Sequence, residues 1–216
     1  MKKIALLLFL APVLLFGQGR KYSNEFLNIG VDAKALGMSN AVVATSNDVT
    51  AGYWNPAGLA GITKGWQAAA MHAEYFASIA QYDYLAFAMP VDAVSTVGVS
   101  VIRFGVDDIL DTTELIDKDG NVNYDRINKF SAADYALLIS YARLAKNIPN
   151  LRYGGNAKII YRHIGDFASA IGFGFDLGAQ YTIKKWQLGA NLRDVTSTFN
   201  SWSYNEDKLN QAFANT

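Results

Sequence analysis

Between Ile171 and Ile183, hydrophobic and polar side chains alternate without a break. Ile171, Phe173, Phe175, Leu177, Ala179, Tyr181 and Ile183 share one phase, and Gly172, Gly174, Asp176, Gly178, Gln180 and Thr182 share the other. Successive side chains of an extended chain point to opposite faces, so this segment predicts a strand with one apolar and one small or polar face. The period recurs. Tyr135, Leu137, Ile139 and Tyr141 oppose Ala136, Leu138, Ser140 and Ala142, while Tyr153, Ala157, Ile159 and Tyr161 oppose Asn156, Lys158 and Arg162. Trp186, Leu188, Ala190 and Leu192 oppose Gln187, Gly189, Asn191 and Arg193, and Leu85, Phe87, Met89 and Val91 oppose Tyr84, Ala86 and Ala88. Two segments are weaker: alanine-rich Trp66 to Phe76, and Thr96 to Val106, where the phase slips near Val101. Together they predict about seven strands over residues 63–195, and the clearest has the length of a tilted membrane-crossing strand, about 9–11 residues.

Alternation alone allows a soluble sandwich as well as a membrane barrel. Two features favour the barrel. Aromatics close the apolar faces (Tyr135 and Tyr141, Tyr153 and Tyr161, Trp186), as girdles at a bilayer interface do. The opposite faces carry glycines with Lys158, Arg162, Asp176 and Arg193, which suit a wet or ligand-filled lumen. The expected fold class is therefore all-β, an antiparallel transmembrane β-barrel. Short connections at 92–95, 144–150 and 184–185 fall on one side, and the long acidic stretch from Asp107 to Lys129 falls on the other, which places the short side in the periplasm. Single-chain bacterial barrels close with an even number of strands. The polar tail 196–216 shows no returning strand and reads as an extracellular loop, so the expectation is the N-terminal half of a longer barrel. A composite barrel assembled from several copies is the alternative.

Composition narrows the function. The 216-residue chain has 19 basic and 19 acidic side chains, so no charge excess points to nucleic acid. It has no cysteine, which excludes disulfides, thiolate metal sites and lipidation at cysteine. Lys2 and Lys3 precede an apolar run from Ile4 to Phe16, a secretory signal over residues 1–17 with cleavage after Gly17; an uncleaved anchor is the other reading. Beyond it no apolar run approaches the roughly 20 residues of a membrane helix. A water-channel reading of the Asn55-Pro56-Ala57 triplet fails with it: that fold needs several such helices and normally two triplets. His72 and His163, the only histidines, fall in predicted strands, and no nucleophile elbow or metal-ligand spacing is visible. No catalytic residue, metal or cofactor is expected.

Residues 18–62 are turn-rich and read as a short helical N-terminal plug. Val31 to Met38 predicts a helix stopped at Gly37, and Ser46 or Asn47 can cap another through Tyr53. Asn55 caps a further turn beginning at Pro56, and Gly58 ends it. Asn55, Pro56, Ala57 and Gly58 thus form a rigid corner leading into the first strand.

The block "FLNIGVDAKALGMSNAVVATSNDVTAGYWNPAGLA" resembles the N-terminal signature of the PorV/PorQ family of Bacteroidetes outer-membrane proteins, through Phe26, Leu27, Gly30, Ala33, Gly37, Met38, Ala41, Asp48, Tyr53, Trp54, Asn55, Pro56, Ala57, Gly58 and Leu59. Phe130 to Arg143, Gly154 to Arg162 and Gly174 to Tyr181 are also similar to that family; Ser39 and Asn40 stand where it often has glycines. The resemblance implies a FadL-like barrel of fourteen strands with an N-terminal plug, of which about half is present here. It further implies an outer-membrane docking or shuttle component of type IX protein secretion, with secretion components and exported cargo as partners and outer-membrane lipid around it. The rival expectation is FadL-like transport of a hydrophobic small molecule.

Overall fold

The computed structural model describes residues 24–116, 120–196 and 199–214. The expected signal at 1–17 and the start of the plug segment, 18–23, lie outside the described residues. Seven strands pair with their sequence neighbours, all antiparallel: β1 (Gln67–Tyr75), β2 (Ala80–Pro90), β3 (Ser95–Asp111), β4 (Asn128–Leu144), β5 (Leu151–Ile164), β6 (Ala168–Ile183) and β7 (Trp186–Leu192). The sheet curls into a half-barrel. Among the described residues no helix is long and apolar enough to cross a membrane.

The two phases sort onto the two faces as the alternation predicts. On the convex face Leu85, Phe87, Val99, Val101, Ile139, Ile159, Phe173 and Leu177 are exposed. On the concave face Ala86, Ala88, Ser100, Ser140, Asn156, Lys158 and Asp176 are buried. Phe173 is 53% exposed whereas Lys158 and Asp176 are 4% exposed, the reverse of a water-soluble sheet.

Several expectations change. The phase of β3 does not slip at Val101: pairing with both neighbours is continuous through Val106, and the irregularity lies between Val106 and Ile109, where Asp108 takes φ +60. Such a bulge inserts an unpaired residue and re-aims the strand. Second, the stretch from Asp107 to Lys129 is not all loop, because Leu110 pairs with Lys129 and Asp111 with Asn128, leaving 112–127 as the connection. Third, the connections at that end are not uniformly long: Phe76–Ile79 and Gly165–Phe167 are tight turns.

Fourth, the tail 196–216 is not simply a loop. Phe199–Tyr204 forms β8 and Glu206–Ala214 a short helix. β8 does not return across the barrel. It pairs with β6 over Ala168–Phe173, beyond the part of β6 that pairs with β7 (Leu177–Ile183), so β7 and β8 together make one interrupted seventh column. The short run of β8, with Trp202 and Tyr204 on one phase and Ser201 and Ser203 on the other, sits in a polar tail that reads as loop.

Residues 24–62 fill the concavity. They form helix α1 (Ala33–Gly37), helix α2 (Ala51–Trp54) and a 3-10 turn (Pro56–Gly61); the helix at Glu206–Ala214 is α3. The cap of α2 differs from expectation. The N-cap is Thr50, which makes no side-chain cap bond; Asp48, two residues before it, accepts from the Thr50 N–H and hydroxyl at 2.9 and 2.6 Å. Val31, Ala51, Leu59, Ala60 and Ile62 pack with Tyr82, Ile102, Leu138 and Ile160 of the wall in one core.

The chain's lack of cysteine makes the β6–β8 pairing directly checkable. Ser169 and Ser203 are cross-strand partners, and directly opposed antiparallel residues have Cα atoms about 4.5–5.5 Å apart, within disulfide reach. Ser169→Cys with Ser203→Cys is expected to cross-link under mild oxidation, seen as a mobility shift reversed by reductant. The register-shifted pair Ser169→Cys with Trp202→Cys, whose side chains point to opposite faces, is expected not to.

Candidate functional site

The site is the contact between the plug and the inner wall. Its centre is the corner at Asn55, which is fully buried. Its Oδ1 accepts from the N–H of Ala57 at 3.2 Å and so caps the 3-10 turn that Pro56 begins, as the sequence predicts. The turn does not stop at Gly58; it runs to Gly61. Gly58 serves close packing instead, since a Cβ there would strike the Ser46 carbonyl and lie 2.8 Å from the Ala51 Cβ.

The amide of Asn55 also reaches out of the plug. Nδ2 donates to the carbonyl of Val43 at 2.8 Å and lies 3.1 and 3.3 Å from the carbonyls of Ala179 on β6 and Ala190 on β7. Such approach to the wall backbone needs missing side chains. A Cβ on Gly178 would overlap Asn55 Oδ1, and one on Gly154 would come within 2.9 Å of the Ala57 nitrogen. One on Gly189 would come within 2.5 Å of the Ala44 Cα. The inward glycines of the strands are therefore seats for the plug backbone.

Wall side chains complete the attachment. Gln180 Nε2 donates to the carbonyls of Val43 (3.1 Å) and Ser46 (2.9 Å), Asn191 Nδ2 to Trp54 (2.9 Å) and Asn156 Nδ2 to Gly52 (2.8 Å). Each satisfies a plug carbonyl that short helices and turns leave without a backbone partner. Within the plug, Tyr53 Oη donates to the Leu27 carbonyl at 2.5 Å and accepts from Gly30 N at 3.0 Å, while Trp54 Nε1 donates to Val31 O at 3.1 Å. Burial pushes the Tyr53 phenol above its ordinary range, and the Arg193 cation partly offsets this.

The four charged residues predicted to line the lumen all have their side chains on the concave side or turned towards the plug, and three converge. Lys158 Nζ lies 2.7 Å from Asp176 Oδ1 and 2.6 Å from Asp194 Oδ1. Asp176 also accepts from Asn156 Nδ2 (3.2 Å) and the backbone N–H of Asp194 (3.0 Å). Arg193, adjacent in sequence, donates to the carbonyls of Leu27 (3.3 Å) and Tyr53 (2.9 Å) and to Asn28 Oδ1 (3.2 Å), with its guanidinium 5.0 Å from the Tyr53 ring centre. Arg162 stands apart, paired with Asp134 at 2.9 Å and over the Phe26 ring at 6.0 Å. A cavity of about 220 Å³ beside the ion cluster is lined by Asn24, Leu27, Tyr53, Leu138, Lys158 and Asp194, among others.

Sequence reasoning did not single out Asp194, which lies where the strand pattern has ended, nor the amides Asn156, Gln180 and Asn191 as plug anchors. The amides were visible only as inward-phase residues; what they hold is decided by the plug. His72 lies on the convex side, 2.6 Å from Asp83, and His163 stacks on Tyr161. Among the described residues no cluster of His, Cys, Asp and Glu is arranged to hold a metal ion. Comparison with models of protein families gave no match, and a search of curated proteins gave none either.

The anchor's polarity makes a sharp forecast. Asn55→Asp replaces a donor facing three carbonyls with an acceptor and is expected to destabilise more than Asn55→Ala, for which about 1–3 kcal/mol is expected. Gly178→Ala, which drives a methyl into the same amide, is expected to cost about 1–3 kcal/mol. Thermal unfolding of each variant in detergent orders the three against the parent.

Proposed function

We propose that this protein is an outer-membrane β-barrel of the PorV/PorQ type, acting as a docking or shuttle component in type IX protein secretion and surface attachment. The observation that carries the membrane part is the inverted wall: large apolar side chains outside, buried polar and ionic groups inside. A bilayer is the solvent that makes such a wall favourable. The dimensions agree. Tyr153 and Tyr161 close the convex row of β5, about 27 Å apart at roughly 3.4 Å per residue. At a tilt of about 40° that is roughly 20 Å of height, comparable with an apolar band about 25 Å tall.

Strand direction supports the half-barrel reading. Every pairing is antiparallel, and β7 and β8 are both antiparallel to β6, so the edges at β1 and at β7/β8 run the same way. Closure of this sheet on itself would create a parallel seam, and two copies inserted the same way round and joined edge to edge would create two. An odd number of further antiparallel strands closes it without one, and seven give the fourteen of a FadL-like barrel. This disfavours a composite of copies.

The secretion role rests on the resemblance of residues 26–59 and the later segments to that family. In this reading the convex face meets outer-membrane lipid, the plug seals the lumen, and the β3–β4 hairpin with α3 presents a surface to secretion partners and exported cargo. FadL-like transport of a hydrophobic small molecule is the second reading, favoured by the plug-and-corner design with a cavity beside it.

The membrane assignment is tested by fractionation and by charge placement. The mature protein is expected in the outer-membrane fraction. Ile159→Arg or Phe175→Arg, on the convex face, is expected to cost about 2–4 kcal/mol in bilayer-embedded stability. Recovery in the aqueous fraction overturns the assignment. For the role itself, gene deletion is expected to abolish surface display of type IX cargo; normal display, with lipid co-purifying with the barrel, favours the transport reading.

A further inference from the structure

The seventh column breaks between Leu192 and β8, and no proline or glycine in residues 193–198 imposes the break. Two residues leave the edge at its start. Arg193 turns towards the plug, and Asp194, at φ +52, turns its carboxylate to Lys158. By Val195 the chain is back on the sheet edge, its N–H donating to the Phe175 carbonyl at 2.9 Å. A left-handed aspartate is tolerated but unfavourable, and persists where surrounding contacts hold it. Here three contacts do: the Lys158 ammonium on the side chain, Asp176 accepting from the backbone N–H, and the plug grasped by the preceding arginine.

We infer that Arg193 and Asp194 form a latch through which the β7/β8 edge and the N-terminal plug hold one another in place. The two halves of the latch are chemically distinct. Asp194 is held to the wall through Lys158 and Asp176. Arg193 is fixed to the plug at Leu27, Asn28 and Tyr53. The wall-side ion cluster therefore sets the position from which the arginine reaches the plug. Coupling of this kind is reciprocal: pulling the edge from β6 loosens the plug, and removing the plug frees the edge. The latch needs only the wall and plug geometry and stands apart from the membrane and secretion readings.

The decisive variant is Asp194→Asn, which preserves shape and removes the charge facing Lys158. Trypsin cleavage at Lys34, in α1, reports plug release in the full-length protein, and heat-dependent electrophoretic mobility reports an intact barrel. Asp194→Asn is expected to speed cleavage at Lys34 about tenfold, within the usual range of coupling between sites, with the folded band unchanged. Arg193→Gln is expected to do at least as much, and Arg193→Lys less. Cleavage of both Asp194→Asn and Arg193→Gln at the parent rate overturns the latch. Loss of the folded band in Asp194→Asn overturns it too, since the charge would then hold the barrel as a whole.

Discussion

The concave wall is buried only because residues 24–62 lie against it, and that contact depends on side chains donating to plug carbonyls. Short helices and turns leave many backbone groups without partners, and a plug with unsatisfied groups could not be buried. The wall answers with amides at Asn156, Gln180 and Asn191 and a guanidinium at Arg193, while Asn55 reaches the other way to wall carbonyls. Glycines at 154, 178 and 189 let the two backbones approach closely enough for these bonds to form. The plug behaves less as a separate domain than as the inner layer of the half-barrel.

The buried ions follow the same logic. Removing a lysine and two carboxylates from water carries a penalty that only good geometry and further hydrogen bonds offset. Lys158 meets two carboxylates, and Asp176 also accepts from an amide and a backbone N–H. A cluster of this kind contributes little net stability compared with a well-packed apolar substitute, but its directionality fixes one arrangement of the wall and the segment Arg193–Val195. It thereby places Arg193 over Tyr53.

Curvature ties these features together. Alanine and glycine dominate the inner phase of β6 (Ala168, Ala170, Gly172, Gly174 and Gly178), whereas Ile, Phe, Leu and Tyr dominate its outer phase. The sheet bends towards its inner side, and the bend creates the concavity that the plug occupies.

The strands, their facing and the corner at Asn55 and Pro56 were legible in the sequence, because period two and local capping chemistry act between near neighbours. The charges at 158, 162, 176 and 193 could be assigned an inner phase for the same reason. Which partners those charges take was not legible. Lys158 meets Asp194 across thirty-six positions and Arg193 meets Leu27 across one hundred and sixty-six, and no local pattern encodes such distances. The β8 segment was also hidden: its pairing partner is the free end of β6, and only the assembled sheet shows that this edge remains to be filled. Alternation, then, determined which way each side chain points; the curl of the sheet and the seating of the plug decided what it finds there, since those depend on bulk and hydrogen-bond demand summed over residues far apart in the chain.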